Sequence, residues 1–163
     1  MEDYPALLQA LLHQEAVLQF PAFTNEVAFE VGNKLVEFAR QHQKSVTVDI
    51  CRNGQQLYHC ALAGTSADND EWIKRKNRVV NRFGHSSFYM GNLYKSKNTT
   101  IQDSALLDHR EYAPHGGAFP VIVKNVGVVG TITVSGLPQQ EDHQLVVQVL
   151  ADYLGVNLEA NAE

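Results

Sequence analysis

The sequence predicts an α+β domain in which helices pack on an antiparallel sheet of about four to five strands. Four short segments with strand patterns pair into two hairpins, over residues 46–62 and 115–136, with no helix between the strands of either hairpin, and the second hairpin is rich in Val, Ile and Thr. The remaining segments repeat apolar residues at helical spacing. A doubly wound parallel sheet would need a helix after each strand, and this chain lacks that alternation.

Length and composition limit the class of protein. A chain of 163 residues with 44% hydrophobic content fits one domain over residues 1–163. The net charge of −5 argues against a nucleic-acid partner. The N-terminus lacks the basic segment of a signal peptide, and no apolar run approaches the roughly 20 residues that span a bilayer. We therefore expect a cytoplasmic protein without a membrane partner, with Cys51 and Cys60 as reduced thiols.

The first half of the chain predicts two helices and a hairpin. Residues 6–19 repeat leucine at helical spacing, and Pro21 ends or bends that helix. Residues 25–42 form a second amphipathic helix with Thr24 as its N-cap. Strands over 46–51 and 57–62 then follow, joined by an Asn-Gly turn that favours the type I′ hairpin.

The middle of the chain predicts two more helices and a long loop. A third helix begins near Asp68 or Asn69 and ends at Gly84. A serine at position 86 or 87 caps a shorter helix. Residues 95–115 show no period beyond one turn of helix, and irregular loops of this length are usually functional or mobile.

The second hairpin and a closing helix complete the domain. A Gly-Gly turn leads into the hairpin, and Thr131, Thr133 and Ser135 mark the polar face of its second strand. The last helix covers residues 139–154, with Gly155 as its C-cap.

The third helix is unusually basic for an acidic protein. Five cations fall between Lys74 and Arg82. Lys74, Arg78 and Arg82 share one face, and Arg75 lies close to the same line as Arg82. Together with Trp72, the three arginines are candidates to bind a carboxylate, a phosphate or a haem propionate. The alternatives are a solvated face, or pairing with acidic groups of another copy of the chain.

The turn before the second hairpin carries the other candidate site residues. Gly116 and Gly117 allow close approach of the backbone to a ligand, and His115 is a candidate proton carrier or haem ligand. The alternative is a plain turn with a locally bonded histidine. His85 is a candidate at the mouth of a pocket. His109 lies too irregularly with respect to His115 for a zinc signature, so no metal site is predicted.

The remaining histidines give no site. His59 lies on a strand and is interpreted as structural, while His13, His42 and His143 are interpreted as surface residues. The sequence contains no HExxH, Walker A, GxSxG or CxxC motif, so catalytic residues stay unassigned and enzyme activity stays open.

Two segments of the second hairpin carry a family resemblance. Gly116–Val121 (GGAFPV) and Gly127–Gly136 (GVVGTITVSG), followed by the last helix, resemble the haem-degrading-domain family of GlcG-like and HbpS-like proteins. The helix with Trp72 and Arg75–Asn77, together with the run Ala113–Gly117, resembles a sub-branch of short proteins of uncharacterised function.

The resemblance implies a profilin- or PAS-like layered domain that assembles into a symmetric homo-oligomer. The residues themselves identify no cofactor, and the resemblance makes haem a candidate. Pro120 falls one place later than in the GlcG-like pattern. No iron ligand is therefore carried over from the family, and His115 is a candidate from its position alone.

Three functions are consistent with these patterns. The first is a homo-oligomeric domain that binds a small ligand, either haem or a carboxylate or phosphate anion. The second is a structural or protein-interaction oligomer without catalytic activity. The third is a small enzyme of haem or oxidative metabolism that uses His115, for which the sequence offers no identifiable activating partner.

Overall fold

A computed structural model describes residues 2–159 and confirms the α+β prediction. Within that range the strands form one four-stranded antiparallel sheet. The elements in chain order are α1 (Tyr4–Val17), α2 (Asn25–Gln41), β1 (Thr47–Arg52), β2 (Gln55–Ala61), α3 (Ala67–Phe83), α4 (Ser87–Ser96), α5 (Ile101–Ala105), β3 (Ala118–Val123), β4 (Gly127–Ser135) and α6 (Gln139–Leu154). The strand order across the sheet is β2-β1-β4-β3. None of the helices in this range is long and apolar enough to cross a membrane.

The two central strands give the sheet one apolar and one polar face, because successive side chains of a strand point to opposite sides. The apolar face packs against α2 and α6 and is fully buried; it includes Val48, Ile50, Ile132 and Val134. The polar face lies under α3, where Thr133 donates a hydrogen bond to Asn77 and Asn69 donates one to Ser135. The predicted polar face of β4 is therefore covered by a helix rather than by water.

Several local signals act as the sequence predicts. Thr24 caps α2 with its hydroxyl oxygen, and Gly84 and Gly155 end α3 and α6 with φ values of 71° and 66°. Asn53 and Gly54 have φ values of 50° and 82°, as a type I′ turn requires.

Some helix boundaries differ from the prediction because of caps. The first helix begins at Tyr4, since the Asp3 carboxylate accepts a hydrogen bond from an amide of the first turn, and it ends at Val17, before Pro21 is reached. The third helix begins at Ala67, because Ser66 and an asparagine three residues later form a capping box. The fourth helix continues to Ser96, so the first two residues of the predicted loop 95–115 are helical, and the short helix α5 is the regular element in the rest of that segment.

The prediction that His143 lies on the surface is wrong. Its side chain on α6 is 2% exposed and stacks on Phe88, with Phe119 on a further side. The Nε2 atom lies 2.8 Å from the Oε1 atom of Gln14, so α1 and α4 together cover this part of α6. Burial lowers the pKa of His143 to about 3, because the charged imidazolium would lose its hydration there.

We expect this histidine to make the fold sensitive to acid. In the unfolded chain it binds a proton below a pKa of about 6.5, whereas in the folded chain it stays neutral down to about 3. The stability linked to the neutral ring is complete above the unfolded pKa and is lost as the pH falls towards 3. The free energy of unfolding should thus decrease by about 1.4 kcal/mol per pH unit in this window from His143 alone.

The substitution His143→Gln should flatten that slope, even though lost packing lowers stability at pH 7. Urea unfolding at several pH values between 7 and 4 measures the slope. His42→Gln is the matched control, because it removes an exposed histidine at the end of α2 and leaves the buried ring of His143 in place. A slope in His143→Gln equal to that of the wild type would contradict the assignment.

Candidate ligand-binding site

A cavity of about 320 Å³ lies where α3 passes the end of the sheet and the start of α6. We call it the Lys76 cavity; the lining residues that matter for its chemistry are Trp72, Lys76, His115, Gln139 and Asp142. Trp72 and Lys76 come from α3, His115 from the turn before β3, and the last two from the first turn of α6.

A buried ion pair closes the inner end of the Lys76 cavity. The Nζ atom of Lys76 lies 3.2 Å from Oδ2 of Asp142, and the two side chains are 4% and 2% exposed. Nζ also lies 3.4 Å from the carbonyl oxygen of Val134, while Oδ1 of Asp142 accepts the amide of Leu137 at 3.0 Å. Burial lowers the pKa of Lys76 and raises the pKa of Asp142, and the attraction between the two opposes both shifts. Burial thus acts against the charge on each partner, and the contact between the two side chains acts in favour of both charges.

The backbone of the Gly-Gly turn lies very close to other atoms, but these belong to the protein itself and not to a ligand. Gly117 has φ of +140°, and a Cβ atom there would lie 2.7 Å from Nζ of Lys76. A Cβ atom on Gly116 would collide with the carbonyl oxygen of Gln139. The amide of Gly116 donates to Oε1 of Gln139 at 3.0 Å, so this N–H is already used within the chain. The two glycines thus hold the start of β3 against Lys76 and α6.

Three side chains form the rim of the Lys76 cavity. The rings of Trp72 and His115 meet edge to face, with centroids 5.5 Å apart, and the guanidinium carbon of Arg75 lies 4.1 Å from the Trp72 centroid. Loss of water around part of the His115 ring lowers the pKa of this residue, and the charges of Lys76, Lys95 and Arg75 lower it further. His115 is accordingly neutral at pH 7 and can offer a nitrogen lone pair at the cavity mouth.

The arginines expected to share this hollow are instead distributed around α3. Arg78 lines a second groove of about 470 Å³ between α3 and the two hairpin tips, together with Lys74 and Thr131. Its guanidinium donates to the carbonyl oxygen of Glu111 at 3.1 Å. Arg82 is exposed and lines neither cavity.

His85 also lies away from the Lys76 cavity. Its Nδ1 atom is 3.1 Å from both carboxylate oxygens of the buried Glu15, which also accepts the amide of Ser86. This carboxylate raises the pKa of His85. The contact joins α1 to the start of α4. Of the eight predicted residues, those at or beside the Lys76 cavity are Trp72, Arg75, His115, Gly116 and Gly117.

Sequence reasoning missed the two residues at the centre of the site. Lys76 is not among the candidates that the sequence singles out, yet Ile73 and Val79, three residues to either side, are both buried. Asp142 precedes the buried Val146 by one helical turn. A charged residue on the buried stripe of an amphipathic helix is the signal that could have identified both.

Comparisons with known proteins agree with this fold. The family model described as "Haem degrading protein HbpS-like" matches residues 23–151. The chain belongs to this HbpS-like family. A UPF0303 protein of Streptomyces coelicolor is 52% identical over 145 residues, which cover 89% of this chain and 92% of that protein. The resemblance to the family, and to its sub-branch of short proteins, is thereby confirmed.

Solved structures share the same architecture. The crystal structure of the Ybr137w protein is 35% identical, covers 91% of this chain and 87% of its own, and superposes with a TM-score of 0.84. The crystal structure of the PduOC:Heme complex is 16% identical, covers 80% of this chain and 94% of its own, and has a TM-score of 0.67. The second likeness shows that this HbpS-like protein and PduOC have the same fold.

We expect Gly117→Ala to destabilise the protein far more than Gly54→Ala. Both glycines have positive φ, so each substitution costs about 1–2 kcal/mol of backbone strain. A methyl group at position 54 meets nothing within 4 Å, whereas one at position 117 collides with Lys76 and with the Val134 carbonyl. The collision should add roughly 1–3 kcal/mol. Urea unfolding of the two variants measures the difference, and equal losses would show that the close approach at Gly117 is not required.

Proposed function

We propose that this HbpS-like protein binds a small ligand in the Lys76 cavity. The supporting observation is the combination of an aromatic and imidazole rim, Trp72 with His115, above a buried lysine. Such a mixture of apolar surface and few convergent polar groups is typical of small-molecule sites. The cavity volume of about 320 Å³ is at the lower end of the range for ligand pockets.

Haem is the first ligand to test. PduOC, which shares the fold, is known as a complex with heme. The neutral imidazole of His115 is a suitable iron ligand, Arg75 is a suitable partner for a propionate, and Trp72 offers an aromatic face. The Lys76 cavity is too small to enclose a whole macrocycle, so haem would occupy it only in part. When bound, haem would supply redox chemistry that the side chains lack.

A homo-oligomer is the assembly we propose for this domain. Large apolar side chains are exposed on the single chain, including Phe29 at 55%, Leu106 at 86% and Val126 at 70%. Burial of such side chains against a second copy would be favourable. Lys74 is paired with Glu71 of its own helix at 2.9 Å, which weakens the alternative in which the basic helix mainly meets acids of another copy. Light scattering of the wild type and of Arg78→Glu tests whether that helix contributes to assembly.

Replacement of His115 should abolish specific haem binding. Titration of the wild type with haemin should produce a Soret shift and quench the fluorescence of Trp72, the single tryptophan of the chain. His115→Ala should lose the Soret shift, because the iron loses its nitrogen ligand. His109→Ala is the matched control, since this exposed histidine bonds Gln102, at 2.6 Å, and does not line the cavity.

Either of two results would count against haem as the ligand. One is a Soret shift of the same size in His115→Ala, His109→Ala and the wild type. The other is a haemin spectrum that changes without any quenching of Trp72, which would indicate binding elsewhere on the surface.

A further inference from the structure

Lys76 has the surroundings of a nucleophilic lysine rather than of a surface charge. Exposed lysines are protonated at neutral pH and have no lone pair to offer. Lysines that attack carbonyl groups are desolvated, which favours the neutral amine. Lys76 is 4% exposed, lines a cavity, and has a carboxyl group 3.2 Å from its Nζ atom. By contrast, Lys74 on the same helix is 59% exposed and pairs with Glu71 in solvent.

We propose that Lys76 forms a covalent imine with a small aldehyde or ketone that enters the Lys76 cavity, with Asp142 as the proton carrier. This inference rests on the proposed function, because it takes the same cavity as the ligand site. It goes further by naming the ligand class and the bond that forms. It also assigns a chemical role to the buried ion pair, which binding of haem at the rim would not use.

The step balances with groups that are present. Asp142 takes one proton from the Lys76 ammonium, and the amine lone pair attacks the carbonyl carbon. The carbon–oxygen π pair moves to oxygen, which takes a proton and gives a carbinolamine. The carbon–oxygen bond then breaks, and the oxygen leaves as water with the two protons that nitrogen has lost. Lysine ammonium and carbonyl compound thus become iminium and water, with no oxidant or reductant.

The contacts around Nζ suit this sequence. The Asp142 carboxylate lies 3.2 Å from Nζ and can take a proton from the ammonium, while the carbonyl oxygen of Val134, at 3.4 Å, accepts a hydrogen bond from Nζ and orients it. After reaction the iminium keeps one positive charge beside the Asp142 carboxylate, so the buried charge stays paired. A Cβ atom at position 117 would stand 2.7 Å from Nζ, and glycine leaves that space open. The Trp72 ring, whose centroid lies 5.9 Å from Nζ, provides an apolar wall.

Reductive trapping tests the imine directly. The protein is incubated at pH 6.5 with pyruvate or with acetaldehyde and sodium cyanoborohydride, and is then analysed by intact mass and peptide mapping. We expect one adduct per chain, located on Lys76, while Lys74 stays unmodified as an internal control on the same helix. Lys76→Arg should lose this adduct and Lys74→Arg should keep it. Adducts spread over exposed lysines without enrichment at Lys76 would overturn the inference.

The peptide map of the wild type and the fluorescence of Trp72 distinguish failure of the imine from failure of the ligand site. If Lys76→Arg fails to fold, the peptide map of the wild type still decides which lysine reacts. Quenching of Trp72 by lactate, which has no ketone, or by haemin reports non-covalent binding. Quenching without a trapped adduct would reject the imine and leave the proposed ligand site standing, whereas no quenching by pyruvate, lactate or haemin and no adduct would count against both.

Discussion

The buried salt bridge between Lys76 and Asp142 is the contact on which this end of the domain depends. Helices α3 and α6 pack on opposite faces of the sheet. A salt bridge between them therefore has to pass around the end of the sheet, between the last residues of β4 and the start of β3. Gly117 is needed there because a side chain would occupy the path of Lys76. Loss of one partner from a buried pair typically costs about 3–5 kcal/mol, because the other charge remains without compensation.

The polar face of the sheet sets the position of α3 along it. The buried carboxylate of Asp49 accepts hydrogen bonds from Gln56 at 2.7 Å and from Asn77 at 3.4 Å, and lies 3.1 Å from a ring nitrogen of His59. Hydrogen bonds of this kind are directional, unlike apolar contacts, so they define the register of the helix on the strands. Asn77 directly follows Lys76 in α3. The hydrogen bonds that hold Asn77 on the sheet therefore also fix where the backbone of Lys76 lies, and so which atoms its side chain can contact. His59 is hydrogen-bonded in this network, as its interpretation as a structural histidine predicts.

Local patterns were sufficient for the fold, whereas the site depended on contacts between distant segments. Thr24, Gly84 and the Asn-Gly turn act through neighbouring residues, so their roles follow from sequence. Residues two apart on a helix point about 200° from one another, which explains why Lys76 is buried while Arg78 lines another groove. Helical periodicity in the sequence could therefore place Lys76 and Arg78 on different sides of α3. It could not identify the partner of Lys76, which lies 66 residues away, or the cover of His143 by α1 and α4.

Haem and a small carbonyl compound would meet different atoms of the Lys76 cavity. The charges of Lys76 and Asp142 largely cancel, so the inner end has little net charge and favours an uncharged carbonyl group over a second anion. The guanidinium of Arg75 lies over the Trp72 ring at the rim and is the group that would receive a carboxylate of either ligand. His115 lies edge to face with the same ring and lines the cavity, so its imidazole would also contact the ligand. A small 2-oxo acid has a carboxylate next to its ketone. It would place the ketone at Lys76 and the carboxylate towards Arg75, within a cavity of about 320 Å³.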